Sequence, residues 1–188
     1  MAILITQKDF EEIGQLAVHC DKEKLDIAIH ESMIFDFEPF LCENFTDVYE
    51  NWDSLESAWK DLICGSSYVG CSERNMRHLG LKRMLLYYIY ARYTVLNNYN
   101  DTPNGSVTKT NDFSIPKPLK EIEQFADKYR SMGYSVWLGV KKYLCNSKDD
   151  YPTLKINDCE ACDCNGSGCS DKSVKGYGIR GSNVSKSY

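Results

Sequence analysis

The sequence predicts an all-α protein: a helical bundle of about five helices with a small β-hairpin insertion and an extended, irregular C-terminal tail. Three observations carry that expectation. Apolar residues recur at helical spacing from residue 7 to residue 146. One stretch, Met84-Leu-Leu-Tyr-Tyr-Ile-Tyr-Ala, is apolar or aromatic all round, the mark of a helix walled in by several others. The last 38 residues hold six serines, five glycines and four cysteines but only five Leu, Ile or Val, too few for a core. The chain therefore divides into a helical domain over 1–150, with a hairpin or loop at about 97–115, and a Cys/Gly/Ser-rich tail over 151–188. A domain of about 150 residues buries roughly two-thirds of its unfolded surface.

Asp21 opens the first long segment, in which Leu25, Ala28, Ile29, Ser32 and Met33 share one face. Pro39 breaks or restarts it, because proline lacks the amide donor and restricts the residue before it. Leu41, Phe45, Val48 and Trp52 then recur at i, i+4, i+7 and i+11. Asp53 followed three residues later by Glu56 resembles a capping box, ahead of a stripe of Leu55, Ala58, Trp59, Leu62 and Ile63 that Gly65 ends. A helix is expected from about Glu73 to Tyr99, its first half carrying Arg74, Arg77, Lys82 and Arg83, with Arg92 further on. Another follows from about Pro118, where Leu119, Ile122, Ala126, Tyr129, Gly133, Val136, Val140 and Tyr143 form a continuous seam. Gly133 and Gly139 weaken it locally, which leaves room for a kink there. Between the two lies Thr102-Pro-Asn-Gly105, whose Asn-Gly pair favours a tight turn and hence a small hairpin.

The composition, 43% apolar and 26% charged with five prolines, excludes collagen-like and wholly disordered chains. The longest apolar run, Met84 to Ala91, falls far short of the roughly 18 residues of a membrane span. An acid comes too early in the opening residues for a signal peptide, so export is not expected and the nine cysteines are expected to be reduced. The net charge of −5 hides a division: residues 1–64 carry 15 acids against 4 bases, and residues 65–188 carry 12 acids against 18 bases. Such a chain either sets its basic surface against a neighbour's acidic one or neutralises itself within one fold.

No catalytic pattern is present: there is no phosphate-binding glycine loop, no His-Glu-x-x-His and no nucleophile elbow. The chain is not expected to be an enzyme. His19, His30 and His78 lack ligand spacing and read as solvated or capping residues. The tail holds the sharpest constellation, Cys159-x-x-Cys162-x-Cys164-x4-Cys169. Four thiolates at that spacing suit a tetrahedral zinc site, and Gly166 and Gly168 allow the reversal; reduced surface thiols are the other reading. Cys20, Cys42, Cys64, Cys71 and Cys145 read as small buried residues. Tyr87, Tyr88, Tyr90 and Tyr93 among arginines suit base stacking, yet a core helix explains them more simply, and the acidic first half opposes phosphate. No specific nucleic-acid binding is expected.

The order of features supports a resemblance. Ile3-Leu-Ile-Thr-Gln-Lys-Asp-Phe10 is followed by Phe35-Asp-Phe-Glu-Pro-Phe-Leu41, Tyr68, the stretch Gly80-Leu-Lys to Ala-Arg-Tyr93, the Thr102-Pro-Asn-Gly-Ser-Val107 loop, Tyr143-Leu-Cys-Asn and Tyr151-Pro. Over roughly residues 1–152 this resembles the head-to-tail connector (adaptor, ring or neck) proteins of tailed bacteriophages, especially those of Bacteroides and crAss-like gut phages. The resemblance implies a structural virion protein, assembled in the host cytoplasm and placed at the neck vertex. It implies a homo-oligomeric ring, expected to be twelve-fold, between the portal protein and other neck and tail proteins, with DNA passing through its channel. Arg74, Arg77, Arg83 and Arg92 are candidate interface residues by charge. The alternative is a soluble helical interaction or regulatory protein whose zinc-stabilised tail binds a partner.

Overall fold

The computed structural model describes residues 5–13, 20–70, 73–102, 105–108 and 118–155, and over these the protein is mostly helical. A 3-10 turn, Gln7–Glu12, comes first, closed by a capping box in which Thr6 and Asp9 satisfy each other's end of the turn. Helix α1 (Lys22–Ser32) starts where the sequence places it, with the Asp21 carboxylate accepting from the Lys24 amide. Its Leu25, Ala28, Ile29 and Ser32 are buried. The helix does not break at Pro39. It widens into a π-helical turn, Met33–Phe37, and runs into α2 (Glu38–Leu41). The Glu38 amide reaches back five residues to the Met33 carbonyl, so Pro39 falls in the first turn of α2, where its missing donor costs least.

Cys42, at φ +49°, turns the chain out of α2, and α3 (Phe45–Glu50) follows. A loop then leads to α4 (Ser57–Cys64). The Asp53–Glu56 capping box does not form: Glu56 itself is the N-cap, and its amide donates to Ser54 Oγ. Leu55, expected on the apolar stripe, precedes the helix and is 98% exposed. Trp59, Leu62 and Ile63 are buried as predicted.

Next comes a departure. Residues 74–79, expected to be helical, instead complete an antiparallel hairpin of β1 (Ser67–Val69) and β2 (Asn75–Arg77), in the register Ser67↔Arg77, Tyr68↔Met76, Val69↔Asn75. The cause is a pair of glycines. Gly65 at φ +89° and Gly80 at φ +78° lie backbone against backbone; a Cβ on Gly80 would stand 2.3 Å from the Ile63 carbonyl oxygen, and one on Gly65 2.6 Å from that of His78. The chain leaves the bundle and re-enters it at one point, and helix resumes only at α5 (Gly80–Leu96).

No side chain of α5 is exposed, as the unbroken apolar run predicts for a central helix. α6 (Leu119–Asn146) lies along it as the most extensive helix pair, with α1 and α4 against its other sides. The predicted seam is buried from Ile122 to Tyr143, and only Leu119, in the first turn, is exposed. α6 runs unbroken through both glycines: Gly133 is where Tyr88 of α5 packs, since a Cβ there would lie 2.7 Å from its ring. The second hairpin joins β3 (Tyr99–Thr102) to β4 (Gly105–Thr108), with Thr102 opposite Gly105. Gly105 therefore opens a strand rather than occupying the turn centre. With α1, the π turn and α2 counted as one rod, the described residues form a five-helix bundle carrying two hairpins. Its core extends to Tyr151 and Leu154.

Candidate interaction surface

The four tail cysteines of the predicted metal site, Cys159, Cys162, Cys164 and Cys169, lie outside the described residues, as do His19 and Cys71. Among the described residues no three His, Cys, Asp or Glu side chains come together at metal-binding distance. The expectation of uniformly reduced, buried cysteines does not hold. Cys145, half-buried near the end of α6, is disulfide-bonded. Cys20, Cys42 and Cys64 are free thiols, the last two exposed. Linear spacing does not reveal which sulfurs meet, and Cys42 and Cys64 sit at chain reversals, outside the helix seams.

His78 is the residue most misjudged by its sequence context. It is 2% exposed, stacked on Tyr143 with ring centroids 4.0 Å apart, and edge-on to Tyr68. Its Nε2 is 3.2 Å from Ser66 Oγ, and its buried Nδ1 has no hydrogen-bond partner among the described residues. Burial pushes its pKa down to about 4, against the opposing pull of the Asp61 carboxylate. A serine beside a histidine suggests nucleophilic chemistry, but a triad needs a carboxylate on Nδ1. The surroundings are instead a packed polar-aromatic node. Tyr143 donates to the Tyr151 hydroxyl at 3.1 Å, and Tyr151 in turn donates to the Ala58 carbonyl. Burial pushes the Tyr151 hydroxyl far above its usual range. The node fastens the first hairpin to α4, α6 and the residues after α6.

The candidate arginines separate into two pairs. Arg92 is taken up inside the protein: its guanidinium forks onto Asp36 at 2.5 and 3.1 Å and reaches Glu31 at 3.3 Å. Arg83 donates to the Glu12 carbonyl at 2.7 Å, and the neighbouring Lys82 pairs with Asp9 at 2.7 Å and Glu12 at 3.3 Å. Burial pushes the Asp9 carboxyl up, yet the bonds from Lys82 and Thr6 hold it below the usual range. Part of the charge division is thus neutralised within the fold, bases of α5 against acids of the first 36 residues. Arg74 and Arg77 differ: both are exposed on the first hairpin, and neither has an ion-pair partner among the described residues. The tyrosines read as base-stacking candidates are core residues or lie against the core.

An open groove of about 290 Å³ lies between the α2 end and α6, lined by Phe40, Cys42, Asn44, Trp137, Lys141 and Lys155. At its rim the Asn44 carboxamide clasps the backbone of Lys155, donating to its carbonyl at 3.0 Å and accepting from its amide at 2.7 Å. No helix among the described residues is long and apolar enough to cross a membrane. The two hairpins stand at opposite ends of α5, one immediately before Gly80 and one immediately after Leu96, with 17 residues or about 25 Å of helix between them.

No curated protein and no solved structure matches the chain. One family model does, that of a family of unknown function (DUF6712), over residues 37–164. The match runs from the π turn through α6 and takes in Cys159, Cys162 and Cys164 but not Cys169. Since it spans more than half of the sequence, the chain belongs to the DUF6712 family.

Proposed function

We propose that this protein is a non-enzymatic structural subunit of a tailed-phage neck. In this reading, copies of it form a ring between the portal and the tail, extend the DNA channel and dock the next tail component. The resemblance of residues 1–152 to connector proteins suggests this role, and the placement of the two hairpins at the two ends of the central helix is the observation that supports it best. A ring subunit needs contact elements that project from a rigid body in different directions. Here a bundle held by its own ion pairs and aromatic packing carries one hairpin about 25 Å of helix away from the other.

Quantitative peptide mass spectrometry on purified particles, with portal peptides as internal standard, tests the reading. A copy number equal to that of the portal is the expected result. Absence from the particle overturns it, and the alternative, an interaction protein with a zinc-bound tail, then becomes the reading to pursue.

A further inference from the structure

We propose that the outward face of the β1–β2 hairpin binds the α3–α4 loop of a second copy of this chain, head to tail. The inference rests on the ring reading and names the two surfaces that would close the ring.

One face of the hairpin is partly covered, with Met76 still 38% exposed, and the other is open. Cross-strand partners share a face, so Tyr68 and Met76 lie together, and the Tyr68 ring packs on Tyr143 with centroids 5.2 Å apart. The other face carries Ser67 opposite Arg77 and Val69 opposite Asn75, all four exposed, Val69 by 59%. Arg74 stands exposed beside the turn, next to Glu73, and Leu79 is 42% exposed where the hairpin rejoins α5. Among the described residues, β1 and β2 pair only with each other. The open face thus carries Val69 toward the turn and Leu79 at the base, with Arg77 between them and Arg74 beside the turn.

The second surface is its complement. Between α3 and α4, Glu50, Asp53 and Glu56 are exposed, and Leu55 projects among them almost wholly uncovered. The loop is held from beneath: Trp52 is buried, edge-on to Phe37 with centroids 5.7 Å apart. An exposed leucine among acids, fixed by a buried anchor, suits exposed apolar side chains among arginines.

The two surfaces occupy different ends of α4. The loop leads into Ser57, and the hairpin follows Cys64, eight residues or about 12 Å of helix later. A single hairpin-to-loop contact therefore leaves one surface unused on each molecule, a loop on one and a hairpin on the other. Like surfaces repel, and where the free hairpin and the free loop do not meet in a two-fold pair, unlike contacts add copies until the rotation closes.

The test uses the full chain in two charge-reversed forms, Arg74→Glu/Arg77→Glu and Glu50→Lys/Asp53→Lys/Glu56→Lys, followed by sedimentation velocity and native mass spectrometry. Wild type is expected to associate at low salt and dissociate as salt rises. Each variant alone is expected to stay monomeric. An equimolar mixture is expected to assemble again, because a reversed hairpin then meets a reversed loop. Leu55→Ser, which leaves every charge in place, is expected to weaken association by about tenfold or more. If a charge variant fails to fold, as judged by its circular dichroism melt, the Leu55 variant decides. Wild type that stays monomeric, variants that assemble like wild type, or a mixture that does not recover would each overturn this interface. The particle copy number is measured independently, so loss of the interface and loss of the ring reading are told apart.

Discussion

His78 and Tyr143 lie face to face, their ring planes 15° apart, at the point where the first hairpin meets the end of α6. The imidazole is buried and held neutral, with its pKa pushed from 6.5 down to about 4. The unfolded chain takes up the proton below about pH 6.5, whereas the folded chain resists it until about pH 4. The stabilisation is therefore complete above pH 6.5 and lost progressively as pH falls toward 4, by on the order of 3 kcal/mol. Urea unfolding at pH 7 and at pH 4.5 should show that fall. His78→Phe keeps the stack but cannot titrate, and its stability should change less between the same two pH values. An equal fall in variant and wild type would assign the acid sensitivity to other groups.

The two glycines of α6 should respond to alanine with opposite signs. At Gly133 a Cβ would meet the Tyr88 ring at 2.7 and 2.9 Å, an overlap that costs about 1–3 kcal/mol and outweighs the gain in helix propensity. At Gly139 the nearest atom, His78 Cβ, is 3.9 Å away, so Gly139→Ala should stabilise by up to about 1 kcal/mol. Thermal melts of the two variants measure both effects. Gly133→Ala combined with Tyr88→Leu should recover part of the loss.

Arg92 and Lys155 both form ion pairs, and they should not be worth the same. The forked bond from Arg92 to Asp36 is partly buried, and Phe35 covers it with its ring centroid 5.5 Å from the guanidinium carbon. Lysine cannot reproduce the fork, so Arg92→Lys should cost about 1–2 kcal/mol. Lys155 meets Glu43 at the surface, where solvent screens the pair. Lys155→Met should therefore change the urea midpoint little, and what change there is should vanish in high salt.

The cysteines should label in a fixed order. Without reductant, an alkylating reagent should modify Cys42 and Cys64 first and Cys20 more slowly, in line with their exposure. Cys145 should react only after reduction. Peptide mapping with two isotopic reagents, one applied before reduction and one after, reads this directly; early labelling of Cys145 would contradict the disulfide.

Much of the bundle was legible because long helices repeat their signal. The α6 seam and the apolar run of α5 each extend over several turns, so a local exception such as Leu119 does not disturb the pattern. Pro39 was legible as an interruption, but whether a helix answers with a break or a π turn depends on what packs around it. The first hairpin was hidden because β2 is three residues long, and its Arg74-Asn-Met-Arg77 reads equally well as a polar helix start. Leu55 fitted the apolar spacing of α4 and yet lies outside it, since spacing does not fix where a helix begins. His78 has no periodic neighbours to betray its burial. Its setting is made by Tyr68, Tyr143 and Ser66, which are remote in sequence or belong to other elements.

The contact between Gly65 and Gly80 also bears on how this chain can vary. It closes the base of an excursion whose outward side chains, Ser67, Val69, Asn75 and Arg77, are exposed. Lengthening a loop tied at its base costs free energy only logarithmically, about 0.6 kcal/mol per doubling. The outward side chains Ser67, Val69, Asn75 and Arg77 can thus be exchanged with little consequence for the bundle, provided the two glycines, Tyr68 and the buried His78 remain. The same helical body can in this way be refitted to a different neighbour by changing the outward side chains of one hairpin.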